Sequence, residues 1–142
     1  ISEFLFTPDY LAKFNLNPEI RFGMQADQVY IALYDDYMRA ESNSVANILT
    51  RGTNVLVYTG QDNLIVHAPG TMRWVDRLSF PDQDTFRGAL LTTWKVNNNI
   101  AGTVKSGGKL ELRILFGAGR NSASEQPDNT FEMVKQWIGR TR

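Results

Sequence analysis

The most constraining stretch of this 142-residue chain is Val55-Leu56-Val57-Tyr58-Thr59-Gly60, a near-continuous β-branched and aromatic run closed by glycine. It predicts a strand buried on both faces, the situation strands meet in a parallel sheet. A second run, Leu112-Arg113-Ile114-Leu115-Phe116-Gly117, also ends in a glycine-rich turn. Between them, His67-Ala68-Pro69-Gly70-Thr71 opens a helix whose inward face is Met72, Val75 and Leu78, with Trp74 beside it. Proline fits a helix start because its missing N–H would have no partner there.

Other elements follow from local signals. Leu90 to Val96 alternates loosely and reads as a strand, followed by a turn or flexible tip at Asn97-Asn98-Asn99. Ile100–Lys105 and Lys109–Phe116 read as a hairpin around Ser106-Gly107-Gly108. Residues 79–88, with Pro81, read as polar connection. Pro127 and Asp128 cap a last helix with Phe131, Val134, Trp137 and Ile138 on one side, and Gly139 stops it. Upstream, residues 5–25 suggest one short helix and a loop. Asp27 then opens a long helical stretch that Asn43 and Ser44 can break in two and that Gly52 ends. Ile1-Ser2-Glu3-Phe4 reads as the scar of a cloning site, with a natural terminus as the alternative. The expected organisation is therefore residues 1–4 outside the fold, a mainly helical segment 5–52, and an α/β segment 53–142 ordered strand–helix–hairpin–strand–helix.

Composition narrows the chemistry. Fifteen basic residues balance fifteen acidic ones, so no general charge draws the chain to nucleic acid or an anionic membrane. No apolar run approaches the ~18 residues of a membrane span. Cysteine is absent and His67 is the single histidine, so thiolate chemistry and a histidine-rich metal site are excluded, and no cofactor is expected. Gly117-Ala118-Gly119-Arg120-Asn121-Ser122 imitates a dinucleotide-binding turn, but it lacks the third glycine and has too little chain after it for a βαβ unit. Asp35-Asp36 are adjacent on a helix, which turns them ~100° apart as solvated charges. Trp74, Trp94 and Trp137 are read as core aromatics.

In open α/β sheets, chemistry gathers beyond the carboxyl ends of the strands, which directs attention to the loops 60–66 and 117–127. They read Val-Leu-Val-Tyr-Thr-Gly-Gln-Asp-Asn-Leu-Ile-Val at 55–66 and Ala-Gly-Arg-Asn-Ser-Ala-Ser-Glu-Gln-Pro at 118–127. With the hairpin Ala101-Gly102-Thr103-Val104-Lys105-Ser106 and the upstream Phe22-Gly23-Met24-Gln25-Ala26, the chain resembles the serine carboxypeptidases, especially their retinoid-inducible, lysosomal branch. The resemblance implies the C-terminal part of an α/β-hydrolase fold, with catalytic order Ser…Asp…His. It puts Asn63 at the aspartate position and Arg120 at the histidine position. The G-x-S-x-G nucleophile motif, which the family carries in its N-terminal half, is not among these residues.

Both departures affect one step. A base must take the serine proton near neutral pH, and a guanidinium cannot; Asn63 lacks the charge that would steady an imidazolium. A shifted Asp62–His67 pair would need a new loop path and a serine from another chain. His67 is otherwise a residue at a helix start, and Asp62 a turn carboxylate. The expected role is therefore non-catalytic, a binding or structural segment in which Arg120 forks onto an anionic group such as a peptide carboxylate. The alternative is the smaller half of an active serine carboxypeptidase that releases C-terminal residues from peptides. Expected partners are the missing N-terminal half, a second copy, or a peptide or protein ligand. By resemblance the compartment is secretory, lysosomal or vacuolar.

Overall fold

A computed structural model describes residues 7–17, 19, 25–37 and 39–141. The Ile1–Phe4 terminus and the Phe22-Gly23-Met24 match lie outside the described residues. The chain divides into two compact units, Ile1–Arg39 and Ala40–Arg142.

The first unit carries α1 (Pro8–Lys13), α2 (Asp27–Ala32) and α3 (Tyr34–Tyr37). Pro8 opens α1, as its fixed φ favours, and Leu11 is its buried residue. Tyr30 of α2 meets Tyr34 and Tyr37 edge-on, with ring centroids 6.0 and 6.3 Å apart.

In the second unit, α4 spans Ser42–Thr50. The helix break expected at Asn43–Ser44 falls earlier, before Ser42, because the Ser44 hydroxyl donates to the Glu41 carboxylate (2.8 Å) inside the first turn. Gly52 ends α4 at φ +83°; its N–H bonds Leu49 C=O and that of Thr53 reaches Ile48 C=O, the paired bonds of a Schellman stop. Although the sequence groups α4 with the helical segment, Leu49 packs into the core of the α/β unit.

Four strands follow: β1 (Val55–Gly60), β2 (Thr92–Val96), β3 (Asn99–Gly107) and β4 (Leu110–Leu115), in sheet order β1-β4-β3-β2. β1 runs parallel to β4, with Val57 beside Leu112; the other pairs are antiparallel. Asn97 and Asn98 both adopt positive φ (49° and 65°), which makes their two-residue loop a tight β2–β3 hairpin turn. The next hairpin pivots at Gly108-Lys109, slightly later than the sequence signal, with Gly108 at φ +57°.

The remaining helices are α5 (Ala68–Asp76), α6 (Gln83–Gly88), α7 (Ser122–Glu125) and α8 (Pro127–Thr141). Strand alternation divides the core between the two sheet faces. On one, Leu110 and Leu112 cluster with Leu49, Val75, Leu78, Phe80 and Phe86. On the other, Trp94, Val96 and Leu115 cluster with Ala118 and Met133.

Three expectations are corrected. Every residue of β4 is buried, but β1 lies at the edge of the described sheet and Tyr58 is 47% exposed. The stretch 79–88 is not plain connection: Phe86, 1% exposed, pins α6 to the core, and Arg87 Nε donates to Asp76 C=O at 2.8 Å. Finally, the apolar side of α8 is not its buried side. Thr130 and Met133 are buried, Phe131 is 66% exposed, Val134 and Ile138 are also exposed, and the helix continues through Gly139.

Polar groups on the sheet explain that orientation. Arg113, wholly buried, donates from Nε to Glu111 (2.6 Å) and from Nη1 to Gln136 Oε1 (3.2 Å), and its guanidinium lies 4.9 Å from the Trp94 ring. Trp94 Nε1 also donates to Gln136 (2.9 Å), and Arg140 Nη1 donates to Glu111 (2.9 Å). Burial pulls the Arg113 guanidinium below its ordinary pKa, an effect Glu111 opposes. Facing Gln136 and Arg140 toward this buried pair supplies partners for charges that are costly to desolvate, although Arg113 Nη2 stays without a hydrogen bond.

Three substitutions test this packing, all read by urea denaturation. Phe86→Ala should cost about 3–5 kcal/mol, a cavity in the helix-covered core. Glu111→Ala should cost about 3–5 kcal/mol, because it strands a buried guanidinium; Arg140→Ala, whose side chain is 58% exposed, should cost under about 1 kcal/mol.

Candidate active site

Parallel pairing makes β1 and β4 end at the same sheet edge. Beyond that edge their loops are laced together: the Gln61 N–H donates to Leu115 C=O, and the Asp62 N–H to Ala118 C=O, both at 2.8 Å. Gly60 lies at the crossing. A Cβ there would run into the carbonyl oxygens of Ala118 and Gly119, so close approach requires glycine.

Asn63 is 8% exposed and organises the first loop. Its Oδ1 accepts the Val66 N–H at 3.0 Å, while the Thr59 hydroxyl donates to Val66 C=O at 3.0 Å. This short-range bond is the one Asn and Asp side chains commonly offer their own turns. A carboxylate in place of the amide would accept the same N–H and add a charge.

Asp62, one residue earlier, is exposed. His67, also exposed, precedes α5; its carbonyl accepts the Thr71 N–H at 3.0 Å and its imidazole packs against Gly70. Among the described residues no ion pair joins Asp62 to His67.

The second loop is built around a residue that the sequence reading did not single out. The Glu125 carboxylate accepts the N–H of Gly119 (2.6 Å) and of Asn121 (3.2 Å), the two amides flanking Arg120. Gln126 Nε2 donates to Gly117 C=O (3.0 Å), and Thr130 Oγ1 to Ser122 C=O (3.1 Å). Arg120 is thus an exposed side chain on a pinned backbone, with no ion pair among the described residues. The available hint was the Asn121–Glu125 spacing, since a carboxylate four residues on can reach back to amides at a helix start.

The edge therefore brings Asp62, Asn63 and Arg120 onto two joined loops and leaves His67 at the mouth of α5. It offers hydrogen-bond donors and a cation carried on a pinned backbone. The described residues include no cluster of three or more His, Cys, Asp or Glu that could hold a metal, and no helix long and apolar enough to cross a membrane.

The serine carboxypeptidase family profile matches residues 1–140. A serine carboxypeptidase-like protein of Pisum sativum is 34% identical over 119 residues, covering 84% of this chain and 42% of that protein. The retinoid-inducible serine carboxypeptidase of Mus musculus is 32% identical over 127 residues, covering 87% of this chain and 28% of that one. In fold, the chain superimposes on a prohormone-processing carboxypeptidase from Saccharomyces cerevisiae with TM-score 0.71 and 16% identity, covering 97% of this chain and 31% of the yeast chain. The chain thus spans less than half the length of these relatives. A profile match over nearly every residue, on a mixed sheet of this topology, makes the chain a member of the serine carboxypeptidase family, carrying part of its α/β-hydrolase fold.

Proposed function

We propose that this chain is a serine-carboxypeptidase-like segment with a degenerate catalytic centre, serving in binding or structure rather than in peptide hydrolysis. The observation that carries the reading is Arg120, an exposed guanidinium on the loop where the family resemblance expects the histidine base. Arginine holds its proton throughout the physiological range and cannot accept one from a serine. Asn63 fits the same reading, because its carbonyl oxygen is engaged with the Val66 N–H and it carries no charge. Arg120 then serves as a fork for a carboxylate at the old cleft.

A partner completes the picture. The chain covers 31% of the yeast carboxypeptidase, and β1 leaves one edge open in the described sheet. An unpaired strand edge invites a further strand. The rest of a full-length protein supplies it, with a second copy of this chain as the substitute when that part is missing. The family resemblance puts such a protein in the secretory pathway, the lysosome or the vacuole.

Two measurements test the reading. In the full-length protein, hydrolysis of blocked dipeptides should fall roughly four to six orders of magnitude below that of an intact triad enzyme. The double variant Asn63→Asp/Arg120→His should raise it about 100-fold or more if an upstream serine is present. Robust turnover by the unaltered protein would favour the active half-enzyme instead. Separately, Arg120→Ala should weaken binding of peptides with a free C-terminal carboxylate about 10- to 100-fold, the worth of a charge-assisted hydrogen bond; unchanged affinity in calorimetry removes Arg120 from the binding role.

A further inference from the structure

A second cationic feature lies on α5, away from the loop edge. Arg73 and Arg77 stand one helical turn apart, both exposed, and neither guanidinium has an ion-pair or hydrogen-bond partner among the described residues. Between them in sequence is Trp74, half-buried and packed against the core. Two hollows meet at this tryptophan. One, of about 380 Å³, is lined by Ser42, Gly70, Arg73, Trp74 and Arg77. The other, of about 340 Å³, is lined by Ala40, Glu41, Ser42, Val45 and Trp74. Ser42 and Trp74 line both, so the two hollows adjoin, one flanked by the two arginines and the other apolar toward Val45. The Glu41 carboxylate also lines the apolar hollow and accepts the Ser44 hydroxyl through one of its oxygens.

Basic residues near a helix C-terminus suit its dipole. That role requires neither a hollow beside them nor an aromatic wall shared with an apolar chamber. The chain as a whole has no net charge, so attraction for anions here is a local property. Residues one turn apart on a helix are separated by about 5–6 Å at Cβ. In an extended peptide, side chains two residues apart lie on the same side at about 6.5–7 Å. Two carboxylates at alternate positions of a strand-like segment therefore match the two guanidiniums, each of which can fork onto one.

The geometry points to a docking site on α5 and α4 for an extended acidic peptide segment: acidic side chains at alternate positions on Arg77 and Arg73, and an aliphatic side chain two residues further along, against Trp74 and Val45. Arg73 is six residues beyond His67, about 9 Å along the helix, so this surface is separate from the joined loops and does not depend on whether they are catalytic.

Fluorescence anisotropy on the whole chain tests it, with Leu-Ser-Glu-Ser-Glu-Ser-amide carrying fluorescein on its N-terminal amine as probe. The amidated end removes the carboxylate that Arg120 would seek. The probe should bind, and raising salt from 50 to 500 mM should weaken it about tenfold. Arg73→Glu/Arg77→Glu should weaken binding at least 30-fold, and the same variant should acquire binding to the peptide with lysine at both glutamate positions. That gain shows the variant is folded. Equal affinity of the unaltered chain for glutamate and lysine peptides overturns the proposal, as does full retention of binding by the double variant. Binding to phosphatidylserine vesicles without binding to the peptide overturns it in favour of a membrane surface.

Discussion

The same-direction pairing of Val55–Gly60 with Leu110–Leu115 is the constraint on which the rest of the structure depends. An antiparallel arrangement would send the following loops to opposite ends of the sheet. Because the strands are parallel, the segment between them must return to the starting edge, and it does so through α5, α6 and the two hairpins. The chain then emerges twice at one place. Hydrogen bonds from Gln61 to the end of β4 and from Asp62 to the second loop convert that coincidence into a joined surface. Whatever this edge binds, its geometry originates in the ladder beneath it.

The other organising element is polar. A buried Glu111–Arg113 pair is costly to desolvate and has to be met by complementary groups. Trp94, Gln136, Arg140 and Ser106 meet it. The orientation of the last helix follows from this requirement, against its own apolar stripe of Phe131, Val134 and Ile138. That stripe is left facing outward on a chain that covers less than a third of the yeast carboxypeptidase. The open outer edge of β1 fits the same picture of a piece of a larger sheet.

Much of the fold was legible in the residue order because its signals are local. Dense runs closed by glycine marked β1 and β4, Gly52 marked the end of α4, and the asparagine and glycine pairs marked the hairpins. What escaped notice depends on neighbours distant in sequence. A six-residue helix held by one phenylalanine has too few turns to display a period, so α6 was hidden in a polar stretch. Apolar periodicity alone does not give the buried face of α8, because it gives no weight to Gln136 and Arg140. Strand order is set by pairing, and the edge position of β1 is invisible in its composition. At the loops, Asn63 and Arg120 were reachable through a motif. The part Glu125 plays was not, since accepting two amides on either side of Arg120 is a property of the folded turn.

The close contact at Gly60 has a mechanical consequence. With no space between that α-carbon and the carbonyls of Ala118 and Gly119, and with Gln61 bonded to the end of β4 and Asp62 to the second loop, neither loop can shift without its neighbour. The two form a single stiff rim. A displacement at Arg120 would be carried across it to Asn63 and, five residues on, to the first turn of α5, so that a load applied to one corner is felt along the whole border.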